Sequence, residues 1–209
     1  ACFIVLVGAF IGTKSPLTVT QMLWVNLIMD TFAAIALASL PPTRKVMEQK
    51  PRARKASILD KSMKVNILGI GGLFFLIQLV LLIIFENTDI TSVSDFGHLR
   101  TLWGNGLGLS AYEGTLFFTV FVMTHFWYLF DARAYKTGRS AFHFKGCQGF
   151  IVIAAVIFLG QIAMVYVPGF NEMFNCVPLS MADFWIIVGL SSLVMWIGEL
   201  KRVVKTSKQ

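Results

Sequence analysis

The sequence predicts an all-α integral membrane protein, a bundle of six transmembrane segments of which the first is truncated. Three observations carry that prediction. Of 209 residues, 56% are hydrophobic and only 14% charged, and the mean hydropathy is +0.71. The apolar residues gather in long runs, most near the roughly 20 residues a helix needs to cross a bilayer. The net charge of +7 is concentrated in the segments between those runs.

Residues 1–12, ACFIVLVGAFIG, begin inside an apolar helix without Met and are too short to span. A signal peptide would carry a basic leader and a small-residue cleavage site, and neither is there. The stretch is expected to be the second half of a helix in a fragment. Residues 13–16, TKSP, make a polar turn, and Pro16 is expected at the first position of the next helix, where its missing N–H costs nothing. The second segment covers 17–40 and is stopped by Pro41-Pro42. A polar loop dense in Lys and Arg follows over 43–62.

The third segment, 63–85, carries Gly69, Gly71 and Gly72 in its first half, a groove suited to a neighbouring helix. Gln78 is expected to bond between helices. Residues 86–111 have mixed polarity and no assignable structure. The fourth segment, 112–130, is rich in aromatics, with Thr119, Thr124 and His125 as its polar interior and Phe126-Trp127-Tyr128 as a candidate interfacial belt. A second basic loop, 131–146, leads to the fifth segment, 147–167, interrupted by Gln161. A turn-rich loop, 168–180, precedes the sixth segment, 181–200, and a basic tail ends the chain. All six segments are assigned to one membrane domain, 1–209.

Charge placement orients the bundle. Of 18 Lys and Arg, eight fall between Arg44 and Lys64, four between Arg133 and Lys145 and four in the tail; only Lys14 and Arg100 fall on the other side. The positive-inside rule then puts both basic loops and the C-terminus in the cytoplasm. The basic excess is a topology signal, with contact to anionic lipid as a secondary reading. Nucleic acid is excluded as a partner: there is no helix-turn-helix pattern, no interleaving of aromatic and basic residues and no phosphate-cradling loop. Cys2, Cys147 and Cys176 show no metal-binding spacing and no disulfide framework. His98 and His143 are loop residues without a partner pattern, and no nucleophilic triad can be assembled.

The polar residues inside the second segment carry the functional signal. Asn26 and Asp30 are four apart, so on a helix they project from one face, one turn apart. A carboxylate at the centre of a membrane helix costs roughly 2.5–3.5 kcal/mol on insertion scales. No basic residue lies between Lys14 and Arg44 to offset it. The carboxyl must be protonated, face water or meet a cation from outside the segment, and the last is the leading reading. For Asn26 an interhelical hydrogen bond is the competing role.

The stretch QMLWVNLIMDTFAAIALASLPPT, with SPL before it and KPRARKASIL after it, resembles the sixth transmembrane helix and the following loop of P-type calcium-transporting ATPases, especially the plasma-membrane type. The resemblance extends over the chain, whose segments fit helices five (partial) to ten in number, order and loop sides. It implies that Asn26 and Asp30 coordinate calcium, on a helix locally unwound at that point, although nothing in VNLIMD predicts unwinding. Calcium takes six to eight oxygen ligands, so this pair supplies only part of its shell.

Met29 stands where the two-site intracellular pumps have Thr, and His125 where their eighth helix has a ligating Glu. A thioether and a neutral imidazole are poor calcium ligands, so the resemblance implies one calcium per cycle. His125 is either a hydrogen-bonded residue among aromatics or a proton-handling group in a calcium/proton exchange. The family's fifth-helix Glu would align with Ala1. ATP and magnesium would be bound by soluble domains outside this sequence, in which neither a DKTGT motif nor a PEGL-type fourth helix occurs.

The expected partners are the lipid bilayer, calcium and the N-terminal part of the same polypeptide, helices one to four with their cytoplasmic domains. The expected activity is ATP-driven calcium export by the full-length enzyme, this fragment being inactive alone. The short tail points to a minimal pump, in a plasma or bacterial inner membrane. The alternatives are the same region of a pump for sodium, potassium, protons or magnesium, or a membrane scaffold without activity.

Overall fold

A computed structural model describes residues 1–38, 60–104, 106, 108–135, 140–142 and 146–206. Most of the 43–62 loop, Pro41-Pro42, His143, parts of the 131–146 loop and the end of the tail lie outside the described residues.

The chain is all-α. Helix α1 (Cys2–Ile11) is followed by α2 (Val19–Leu23), a π-helical turn (Trp24–Met29) and α3 (Asp30–Ala38), which together form one span. Then come α4 (Lys61–Asn87), a 3-10 turn (Val93–His98), α5 (Leu99–Leu102), α6 (Ala111–Arg133), α7 (Gln148–Tyr166), α8 (Phe170–Met173), α9 (Met181–Ser191) and α10 (Leu193–Thr206). Among the described residues five stretches are long and apolar enough to cross a membrane: Val19–Ala38, Lys61–Asn87, Ala111–Arg133, Gln148–Tyr166 and Met181–Val203. With the shorter apolar α1 they make the six-segment bundle with a truncated first member. Among the described residues the helix ends fall within a few residues of their sequence-derived positions; the expected end of the second segment at 40 lies outside them.

Helix α6 is the core of the bundle. Of its apolar window 61% is buried, against 17% for α4, and it packs on α4, α7, α9 and α10. Its interior is aromatic. Phe126 packs on Phe130 and Phe158, and the Trp127 indole donates to the carbonyl of Val188 on α9 at 3.0 Å. The Phe126-Trp127-Tyr128 run thus packs between helices. Ring edges against ring faces hold the spans together.

Two expectations are corrected. Pro16 is not the first residue of a helix: Thr18 is the N-cap, its hydroxyl accepting from the Gln21 amide at 3.3 Å while Gln21 Oε1 accepts from the Thr18 amide at 3.0 Å. That reciprocal box satisfies two end donors at once and sets the start at Val19. Pro16 instead packs on Gly8, beyond the Gly12 cap that ends α1 at a φ of 83°. The second correction concerns Gln78, which is 3% exposed but whose Oε1 has no hydrogen-bond partner among the described residues. Beside it, an added Cβ on Gly69, Gly71 or Gly72 would meet nothing within 4 Å, so no described element fills the groove expected there.

The loop between α4 and α6 is ordered by its ends. Amides of Gly104 and Gly106 donate to the Asn87 carbonyl at 2.8 and 3.3 Å. A Cβ at Gly106 would collide with the Glu86 and Asn87 backbone, so only glycine fits that crossing. Fully buried Glu113 takes the Ile90 amide at 2.9 Å and the Ser110 amide at 2.8 Å.

Candidate functional site

The span containing Asn26 and Asp30 is seated by its first turns. Gln21, 3% exposed, donates from Nε2 to the Phe174 carbonyl at 3.0 Å, and the Trp24 ring meets Phe174 edge-on with centroids 6.1 Å apart. Trp24 also covers Gly160 of α7, where a Cβ would meet the indole at 2.5 Å. Val25 and Met29 are buried, each 3% exposed, and turn inward. Asn26 and Asp30 are exposed on the opposite side.

From Trp24 to Met29 the backbone is a π-helix, and the Asp30 amide reaches back five residues to the Val25 carbonyl. An α-helix would send that amide to Asn26. The Asn26 carbonyl thus loses this partner, on the turn that presents the two polar side chains. The resemblance implied unwinding here; the chain stays helical and widens instead. Such π turns carry one residue more per turn than the helix around them and concentrate at functional positions.

Neither Asn26 nor Asp30 makes a side-chain hydrogen bond to a described residue, so the interhelical-bond reading of Asn26 has no partner within this set. His125 is committed locally: its Nδ1 donates to the Phe121 carbonyl at 2.7 Å, and its ring lies 4.3 Å from that of Phe121 and 5.2 Å from that of Phe74.

No cluster of three or more His, Cys, Asp or Glu that could hold a metal ion occurs among the described residues. A carboxylate and an amide oxygen are hard oxygen donors of the kind that suits calcium or another hard cation. They fall short of a full shell, and further donors must come from elsewhere.

A family model for the C-terminus of cation transporting ATPases matches residues 14–204. The chain belongs to the cation-transporting ATPase C-terminal family. It is similar to plasma membrane calcium-transporting ATPase mca-1 of Caenorhabditis elegans, 34% identical over 208 residues covering 97% of this chain and 16% of that protein. Plasma membrane calcium-transporting ATPase 2 of Oreochromis mossambicus is also 34% identical, over 100% of this chain and 18% of its own length. Plasma membrane calcium-transporting ATPase 4 of Homo sapiens is 29% identical over 96% of this chain and 15% of its own. The chain therefore spans about a sixth of the curated relatives it matches. As a family member it is the C-terminal membrane region of a cation-transporting P-type ATPase.

Sequence reasoning missed several buried anchors of this cation-ATPase region. Gln21 and Glu113 each close a capping box, T-x-x-Q and S-x-x-E, and that spacing was legible. Asp183, 2% exposed, accepts from Ser92 Oγ at 3.0 Å, from the Val93 amide at 3.1 Å and from Tyr112. Nothing local in the sequence signals that convergence of three segments. At the other end Arg202 pairs with Asp131 and with Glu199.

Proposed function

We propose that this chain is the ion-pathway half of an ATP-driven pump that exports calcium from the cytosol, with Asn26 and Asp30 as ligands of the transported ion. The observation that carries the proposal is the π turn that presents two oxygen-bearing side chains, neither hydrogen-bonded to a described residue, inside a membrane span. The relatives' printed names support calcium as the cargo. Met29 points into the packed core at 3% exposure and leaves the pair without a third side-chain donor on that turn, which supports one calcium per cycle.

In this reading residues 1–209 act as one membrane domain of a plasma-membrane protein, with the C-terminus cytoplasmic. The N-terminal part of the same polypeptide supplies the remaining ligands and binds ATP and magnesium. Protons move in the opposite direction to calcium. His125 acts either in its aromatic packing role or as a proton carrier.

The experiment is ATP-driven calcium uptake into inverted vesicles carrying the full-length protein, wild type against Asp30→Asn. Uptake is expected to vanish while phosphorylation by inorganic phosphate persists. Transport of sodium, potassium or magnesium in place of calcium would transfer the same site to another cation, and a protein that forms no phosphoenzyme would leave the scaffold reading.

A further inference from the structure

The short helix α8 ends in a closed cap. The Asn175 amide donates to the Glu172 carbonyl at 3.1 Å and the Cys176 amide to the Asn171 carbonyl at 2.8 Å. These are the paired bonds of a Schellman ending, which needs a left-handed residue just past the helix. Asn175 supplies it at a φ of 51°, the one non-glycine residue with positive φ among the described residues. Asn adopts that conformation more readily than most side chains, and a β-branched residue resists it. The next amide, that of Val177, donates to Thr115 Oγ1 at 2.9 Å and ties the cap to the core helix α6.

The cap turns the Phe174 carbonyl outward, where no backbone amide of a described residue reaches it. Side chains satisfy it instead. Gln21 of the second span donates from Nε2 at 3.0 Å, and the Cys176 thiol lies 3.7 Å away. The Gln21 amide is fully engaged, since its Oε1 accepts from the Thr18 amide and its Nε2 also faces Cys176 Sγ.

Asn26 and Asp30 follow on the same span, and no side chain from Met22 to Asp30 makes a hydrogen bond to a described residue. Val25 and Met29 bury the inner face of the turn. Burial of apolar surface is non-directional, so it does not by itself set the height or rotation of a helix. A hydrogen bond is directional and does.

We propose that Gln21 is a positioning residue for the ion-binding turn: its bond to the capped Phe174 carbonyl fixes the height and rotation at which Asn26 and Asp30 are presented. The inference rests on the reading of that pair as ligands of the transported ion.

The test uses the full-length protein with a nitroxide at Leu27→Cys, an exposed position on the turn, and reads both label mobility and radiocalcium affinity. Gln21→Met keeps the length of the side chain and removes its amide. Asn175→Val leaves Gln21 intact and disfavours the left-handed cap that aims the Phe174 carbonyl. Each should loosen the label and lower calcium affinity about ten-fold, the scale of one hydrogen bond. Because both break one contact, the double variant should be no worse than either single one. Asn175→Gly keeps the cap, and Thr18→Ala removes a hydroxyl from the capping box but not the Phe174 bond; both should match the wild type.

A label as well held in Gln21→Met and Asn175→Val as in the wild type would overturn the proposal, as would effects of the two that add. So would a lowered melting temperature with label and affinity unchanged, which would make Gln21 an anchor of the fold alone. A label that loosens in a protein that binds no calcium would uphold the positioning role and remove the calcium reading.

Discussion

The indole of Trp24 lies over the Cα of Gly160, so close that a Cβ there would stand 2.5 Å from the ring. Trp24 is also the first residue of the π turn, so the turn opens at this contact with α7. Gly160→Val should displace the indole and cost about 1–3 kcal/mol through overpacking. Because the displaced residue opens the Asn26–Asp30 turn, apparent calcium affinity should fall along with the melting temperature. A melting curve and a calcium titration of the full-length variant check both; lowered stability with unchanged affinity would uncouple Trp24 from the site.

Glu113 closes the α4–α6 loop by accepting two backbone amides while fully buried. Glu113→Ala leaves the Ile90 and Ser110 amides without that acceptor, at about 1–3 kcal/mol for each donor left buried. The loop should then be cut faster under limited proteolysis, with Glu113→Gln, which keeps one acceptor oxygen, falling between.

Asp95 titrates in that same loop. The Thr91 amide bonding its carboxylate, with the Thr91 hydroxyl and the Ser92 amide beside it, holds its pKa below the usual carboxylate range. A depressed acid favours the fold fully above its ordinary pKa of about 4 and withdraws that contribution as pH falls through the lower folded value. Hydrogen exchange at the Thr91 and Ser92 amides should therefore be protected at about pH 5 and lose protection below about pH 4. Asp95→Asn should lack that pH step.

His125 is held by its Phe121 bond and by two aromatic neighbours. His125→Ala should cost about 2–4 kcal/mol as a large-to-small change within the packed bundle. His125→Phe keeps the ring packing and should preserve calcium uptake. Proton movement measured in the same vesicles decides the rest: its loss in His125→Phe with calcium uptake intact would make the imidazole a proton carrier, and retention would leave it a packing residue.

Much of the fold was legible because membrane spans are written in composition. Runs such as VNILGIGGLFFLIQLVLLIIF admit few other structures in a bilayer, and the helix bounds shifted by only a few residues. The pair Asn26 and Asp30 was legible for the same reason: a carboxyl without a local cation stands out among apolar neighbours. The π turn was not legible, since WVNLIM holds no Gly or Pro, and the contacts that seat its first residues, Trp24 on Gly160 and Gln21 on Phe174, are far apart in sequence. The packing role of the Phe126-Trp127-Tyr128 run was not legible, because aromatic residues suit a membrane interface and a helix interface equally. Pro16 misled because a capping box two residues later outweighs proline's preference for a first turn.

The central claim is that the Asn26–Asp30 turn holds the transported cation, and equilibrium radiocalcium binding to the detergent-purified full-length protein tests it most directly. The account predicts one calcium bound per polypeptide, with affinity lowered about 100-fold in Asp30→Asn by loss of the only carboxylate on the turn. Wild-type binding that survives Asp30→Asn unchanged would contradict it.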